Sequence, residues 1–209
     1  MSGYFVTGTD TNVGKTVLSA LLVAALDAFY WKPIQTGAVE GTDRDSVLRW
    51  AEVSENRLPL EAYRFDPPVS PHLAARLART EIEMKRILLP SAPDAAKWIV
   101  EGAGGVLVPI NERELMCDVM LRIGLPVVIT ARTALGTINH TLLTLSALRS
   151  AQARICGVVT IGDENVENRR AIEHYGAVRV VGHVPMLSKI NRRALLQVYE
   201  THFDHASFS

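Results

Sequence analysis

Five nearly continuous apolar runs punctuate the chain. They are Tyr4-Phe5-Val6-Thr7, Trp98-Ile99-Val100-Glu101, Pro126-Val127-Val128-Ile129-Thr130, Ile155-Cys156-Gly157-Val158-Val159-Thr160 and Val178-Arg179-Val180-Val181-Gly182. Polar and apolar positions do not alternate within them, which is the pattern of parallel strands covered on both faces. Between them lie helix-like stretches: residues 17–25 are rich in Leu and Ala, and 139–150 carry Leu142, Leu143, Leu145 and Leu148. Strands that alternate with helices predict an α/β fold, a mostly parallel sheet with helices on both faces. A short strand at 29–31 is expected to join it. The least regular stretch, 36–94, holds a predicted helix at 43–53, breaks at Pro67-Pro68 and Ser70-Pro71, a second helix at 72–79, and a stop at Pro90 and Pro93. It reads as a substrate-side insertion within a single domain spanning 1–209, laid over the sheet edge where open α/β folds bind ligands.

Composition narrows the functional classes. Of 209 residues, 48% are hydrophobic and 21% charged, as in ordinary globular chains. Lys plus Arg and Asp plus Glu each number 22. A neutral balance argues against nucleic-acid binding, which needs surplus basic charge to displace counterions. Cys117 and Cys156 make no disulfide framework and have no metal-binding spacing, so they read as reduced, buried, small apolar residues. Tyr4-Phe5-Val6 is too short for a signal core, and residues 17–28, interrupted by Ser19 and Asp27, are too short to span a bilayer. The expectation is a cytoplasmic protein with no membrane partner. The histidines show no ligand spacing, and His202 and His205 read as a solvated tail.

The candidate chemistry begins directly after the first run, at Gly8-Thr9-Asp10-Thr11-Asn12-Val13-Gly14-Lys15-Thr16. A glycine-bounded loop between strand and helix aims backbone N–H groups at phosphate oxygens, and the helix N-terminus adds positive potential. Asp10, Asn12, Val13, Gly14, Lys15, Thr16 and Val17 are the candidate nucleotide contacts. Lys15 is placed to reach the β- and γ-phosphates, and Thr16 to put its hydroxyl on Mg²⁺. Five residues separate the two glycines where the standard motif has four. Glu101-Gly102-Ala103-Gly104-Gly105 ends a predicted strand at the same sheet edge and supplies a carboxylate for the metal. Asp45 is a second candidate ligand, although a carboxylate at a helix start also serves as a cap. Lys32-Pro33-Ile34-Gln35-Thr36-Gly37 brings a second lysine, suited to an anionic intermediate as well as to a triphosphate.

With these segments in view, the chain resembles the dethiobiotin synthetases, ATP-dependent enzymes of biotin synthesis, as far as about Pro185. The resemblance rests on residues 7–16, 32–37, 101–109 and Leu135-Gly136-Thr137-Ile138-Asn139-His140, in that order. The lengthened phosphate loop is itself typical of the family. The resemblance implies a P-loop NTPase-like fold and a homodimer that closes a cyclic urea on 7,8-diaminononanoate. CO₂ or bicarbonate supplies the carbonyl, ATP the drive and Mg²⁺ the metal. It implies that Thr11 and Lys15 contact phosphate and carbamate, and that Lys32 and Thr36 stand beside the carbamate. It also implies that Thr16, Asp45 and Glu101 hold Mg²⁺, while Gly136, Thr137 and Asn139 reach across the dimer to the substrate carboxylate.

Two positions depart from the family pattern. Asn12 stands where many relatives carry Glu. In Thr160-Ile161-Gly162-Asp163, Ile161 occupies the place of an Asn that reads the adenine edge, and it cannot make that amide pair. The competing readings are a partitioning or regulatory P-loop ATPase switch and a synthetase acting on another amine or acid, as in cobalamin synthesis. The first typically needs an additional lysine early in the phosphate loop, where this chain has Thr9-Asp10-Thr11-Asn12.

Overall fold

The computed structural model describes residues 2–208. Its main sheet contains β1 (Ser2–Gly8), β2 (Phe29–Trp31), β5 (Lys97–Gly105), β6 (Val127–Arg132), β7 (Ile155–Ile161) and β8 (Val180–Val184). Their spatial order is β2-β5-β1-β6-β7-β8, and every pairing is parallel. The predicted α/β class is therefore observed. Side chains along a strand face alternately up and down, and here both directions are buried. Phe5 joins a core with Met116, Val119, Leu145 and Leu148; Val6 joins another with Leu18, Leu22, Val47 and Leu195. That is why the strand sequences are apolar throughout.

Helices α4 (Met116–Ile123), α5 (Thr137–Ser150) and α6 (Val166–Gly176) feed the first core. Helices α1 (Lys15–Leu26), α2 (Asp43–Ala51) and α7 (Arg192–His202) feed the second. The connection from β1 runs outward to the edge strand β2 and returns through β5, whereas the connection from β5 runs to β6 on the other side of β1. The chain reverses direction across the sheet at β1, so the crevice above its C-terminal end is where an α/β fold of this kind takes its ligand. The irregular 36–94 region contains α2, packed on α1, and α3 (Pro71–Leu77). It also contains β4 (Tyr63–Arg64), which with β3 (Ile34–Gln35) forms a separate two-stranded parallel sheet.

Several elements had no signal in the hydrophobic pattern. Helix α6 buries only Ile172 and Gly176, and its start is fixed by Asn165, whose side chain accepts a hydrogen bond from the Asn168 N–H at 2.9 Å. The expected solvated tail is also corrected. The His202 and His205 side chains are exposed, but Phe203 and Phe208 are buried beside Tyr4 and Tyr199, and the Tyr4 hydroxyl donates to the Ser207 carbonyl at 3.1 Å. Two aromatic residues isolated among polar neighbours hold this segment down. Cys117 and Cys156 are free, as expected. Cys117 meets the expectation of burial and the half-buried Cys156 does not, although what burial it has pushes its thiol up to about 11. No helix among the described residues is long and apolar enough to cross a membrane.

Candidate active site

The phosphate loop leaves β1 at Gly8, where a side chain has no room. A Cβ there would lie 2.6 Å from Val13 Cγ2 and 2.9 Å from the Asp10 carbonyl oxygen. The loop re-enters helix at Gly14, whose φ of 91° lies in the left-handed region that glycine adopts without strain. Gly14 provides no side-chain cap, so the first N–H groups of α1 remain directed at an anion. Lys15 Nζ folds back onto the Asp10 carbonyl at 2.8 Å, inside the ring that a phosphate chain would enter. Burial draws its pKa below the ordinary lysine value, against the opposing pull of Glu101. Thr11 is exposed on the loop, and its N–H donates to Asp10 Oδ1 at 2.7 Å. Asp10 Oδ2 lies 3.2 Å from Arg132 at the end of β6.

At the second residue of α1, Thr16 meets the carboxylates. Its Oγ1 lies 2.8 Å from Asp43 Oδ1 and 3.0 Å from Glu101 Oε1. Parallel pairing brings Glu101 there, since β5 lies beside β1 with Val6 opposite Glu101. Asp43 arrives at the first residue of α2, where its backbone N–H donates to Gln35 Oε1 at 3.1 Å. Tyr30 on β2 donates its buried hydroxyl to Glu101 Oε2 at 3.0 Å, fixing the outer carboxylate oxygen. Lys32 contacts Asp43 Oδ2 and lies 3.3 Å from Glu101 Oε1. Burial pulls the Lys32 ammonium down, but Glu101 and Asp43 outweigh it and hold the pKa above the ordinary value. Asp43 shows the converse: burial raises its pKa, and Lys32 and the Thr16 hydroxyl bring it below the usual carboxylate range. Two carboxylates and a hydroxyl, converging on a spot that already holds a cation, form the hard-oxygen donor set that Mg²⁺ takes. The residues present therefore fit the metal.

Asp45 does not belong to this set. Its carboxylate accepts from the Thr42 N–H at 3.2 Å while Thr42 Oγ1 accepts from the Asp45 N–H at 3.1 Å, a reciprocal capping box at the start of α2. Its side chain is 59% exposed. Asp43, two residues earlier, takes the place expected of it. The signal was present in the sequence: Thr42-x-x-Asp45 is the spacing of a capping box, which assigns Asp45 to the cap and leaves Asp43 free. Tyr30 and Gln35 were also missed, because each acts through a neighbour that only the fold supplies.

The remaining candidates divide. Thr36 is half-buried directly after β3, and Gly37 is tied to the Pro67 carbonyl at 3.0 Å. Thr137 Oγ1 donates to the Arg132 carbonyl and so closes the turn from β6 into α5. Gly136 and Asn139 are exposed at the start of α5, and the neighbouring Leu135 is fully exposed. Among the described residues this segment makes no contact with the Lys32 cluster, which lies on the other side of β1.

Beyond Gly14 the crevice widens into a cavity of about 500 Å³. Asn12, Val13 and Val17 line one side, Ile161 and Asp163 the floor, and Met186 and Leu187 the rim.

A family model described as an AAA domain matches residues 2–194. The ATP-dependent dethiobiotin synthetase of Agrobacterium fabrum is 49% identical over 98% of this chain and 96% of its own length. That of Novosphingobium aromaticivorans is 46% identical over all of both chains. Among solved structures, the ParA family ATPase from Chlorobium tepidum matches with a TM-score of 0.58 and 13% identity, covering 96% of this chain and 93% of that one. A chain of the MinC:MinD cell division complex of Aquifex aeolicus matches with a TM-score of 0.55 and 13% identity, covering 94% and 86%. Likeness at that identity is one of fold, the P-loop NTPase fold, and of nothing finer.

Proposed function

The chain belongs to the dethiobiotin synthetase family, and from that membership we propose that it is an ATP-dependent cyclo-ligase closing a cyclic urea on 7,8-diaminononanoate. The observation that carries the reading is the convergence of Thr16, Asp43, Glu101 and Lys32 beside Lys15 at the mouth of the phosphate loop. One substrate amine adds to CO₂, forming a carbamate and releasing a proton. A carbamate oxygen then attacks the γ-phosphorus of ATP, and ADP leaves. The second amine attacks the carbonyl carbon of the carbamoyl phosphate, and inorganic phosphate departs as the ring closes. The substrate supplies the nucleophile, so the protein's task is position and positive charge.

Lys15 and the first N–H groups of α1 hold the phosphates, with Asp10, Thr11, Asn12 and Val13 shaping the loop around them. Lys32, with Thr36 beside it, balances the charge of carbamate and phosphoryl oxygens. Thr16, Asp43 and Glu101 would hold magnesium, which when bound neutralises charge on the β- and γ-phosphates. Residues 36–94 form the substrate side of a single synthetase domain. Gly136 and Asn139, open to solvent beside Leu135, complete the substrate-carboxylate site of a neighbouring copy in a two-fold homodimer; Thr137 shapes their turn.

The test is ATP turnover with magnesium, diaminononanoate and bicarbonate, with the product identified by mass. Formation of ADP and the ureido product, each dependent on the diamine, is expected. Hydrolysis indifferent to the diamine would instead fit a switch ATPase and overturn the reading. Sedimentation should show a dimer, and a fully active monomer would remove the role of the α5 segment.

A further inference from the structure

The Lys32 ammonium sits on the carboxylate pair that the donor set offers to a dication, on Asp43 Oδ2 and Glu101 Oε1. It contacts Asp43 and Glu101, the same two carboxylates that Thr16 Oγ1 touches, and its side chain is only 6% exposed. Among the described residues no other ion pair reaches either carboxylate. Two carboxylates this close, with the Glu101 side chain fully buried, cannot both stay ionised without a counter-charge. Lys32 supplies it. A dication seated between the same oxygens would repel the ammonium at contact distance, so the two cations exclude one another there.

We propose that Lys32 is a built-in placeholder for the divalent cation: it occupies the carboxylate pair until metal arrives, and metal entry frees its ammonium for the substrate. The proposal rests on the reading of Thr16, Asp43 and Glu101 as the metal ligands. The backbone around Lys32 is fixed. Trp31 closes β2 with its indole N–H on the Leu60 carbonyl at 3.0 Å, and the Pro33 carbonyl accepts from the Tyr63 N–H at 3.0 Å. The movement is therefore confined to the four-carbon stem, which carries a compact, rotatable charge. The device orders the reaction. The second lysine reaches the carbamate only when the metal needed to phosphorylate it is in place.

The test is Mn²⁺ binding to the nucleotide-free protein, followed by the electron paramagnetic resonance of free Mn²⁺. Lys32→Met is expected to bind about tenfold tighter than the wild type or better, because the competitor is gone. Lys15→Met removes the same charge from the same crevice without vacating the position, and is expected to change affinity by no more than about threefold. Equal gains in the two variants would reduce Lys32 to a general field effect and overturn the proposal, as would unchanged binding in Lys32→Met. A second readout needs no variant of the site in its folded state. The ¹H–¹⁵N signal of the wild-type Lys32 ammonium, assigned by its absence in Lys32→Arg, should shift on adding Mg²⁺; a signal that stays put overturns the proposal. If neither the wild type nor the lysine variants bind Mn²⁺, or if Asp43→Asn binds as the wild type does, the metal-site reading itself fails, and the placeholder with it.

Discussion

At the metal end of the nucleotide cleft, Tyr30, Lys32, Asp43, Glu101 and Thr16 are joined in one cluster of charged and hydroxyl groups, each with a defined partner. At the other end, where the proposed reading puts the base, a cavity of about 500 Å³ is lined by Val13, Val17, Ile161, Met186 and Leu187 together with the polar Asn12, Arg132, Thr133 and Asp163. The first end is assembled before any ligand arrives, with Lys32 on the two carboxylates, and on the proposed reading it addresses one chemical object, a phosphoryl group with its cation. The second offers mainly apolar side chains, and Ile161 brings no amide to a base edge. Specificity follows unpaired polar groups: a site built to hydrogen-bond a base edge rejects analogues strongly, and a site without such groups discriminates weakly. On the proposed reading, the contrast predicts that precision is committed to the reaction rather than to the identity of the nucleoside.

The largest effects should come from the charged end. Lys15→Ala and Lys32→Ala are each expected to lower kcat/KM by about 10²-fold or more, because each removes a cation that balances developing carbamate or phosphoryl charge. Steady-state kinetics on folded variants would check this, and near-normal turnover in Lys32→Ala would remove it from the chemistry. Asp43→Asn should cost at least about tenfold in turnover at fixed magnesium, with partial recovery as magnesium is raised, since one hard ligand is weakened. Asp45→Asn, two residues away, should leave kcat within about twofold. Its effect falls on stability, about 1 kcal/mol for a cap or roughly 2–4 °C in melting temperature.

The base end is expected to give smaller differences. GTP and CTP should support turnover within about tenfold of ATP, as discrimination without base-edge hydrogen bonds is weak. A preference for ATP of about a hundredfold, ~2.7 kcal/mol, would show that backbone or marginal groups near Asp163 read the adenine after all. The smallest expected effect is on pH dependence. The Thr42 hydroxyl holds the Asp45 carboxyl below its ordinary value of 3.8. A folded-state pKa below the unfolded one contributes stability that is complete above the unfolded value and lost as pH falls through the folded one. Thermal unfolding between about pH 5 and 2 should therefore fall more steeply for the wild type than for Asp45→Asn, and parallel curves would separate the carboxyl from the cap.

The contrast between the two ends also marks how far the chain could be read without coordinates. The sheet was legible because parallel strands buried on both faces leave uninterrupted apolar runs. The phosphate loop was legible because its glycines and lysine are contiguous. Asp43 and Asp45 show a signal that was present but easily passed over. Both are acidic and both open α2, and only the Thr42-x-x-Asp45 capping-box spacing separates them. Which one faces Thr16 depends on the helix phase set by the Thr42 cap. Tyr30, by contrast, was invisible: its hydroxyl matters only because β2 pairs with β5 and so lies near Glu101. Of the cavity's lining, the sequence offered Asn12, Val13, Gly14 and Val17 of the phosphate loop and Ile161-Gly162-Asp163 at the end of β7; the rest gave no signal, because it comes from separate loops after β6 and β8. The buried end of the chain depends on two aromatic residues with no periodic context.

Gly14 ties the two ends together. A Cβ added there would sit 2.5 Å from Ile161 Cδ1, so the turn that presents Lys15 rests directly on a residue lining the cavity. On the proposed reading, selectivity and catalysis therefore share a mechanical joint. An engineer who re-carves position 161 to favour one nucleoside also alters the support beneath the phosphate loop, and the two traits will be inherited as a compromise. Selection for a new base preference in this scaffold should accordingly recruit compensating changes around residues 12–14 before it recruits any at the distant rim.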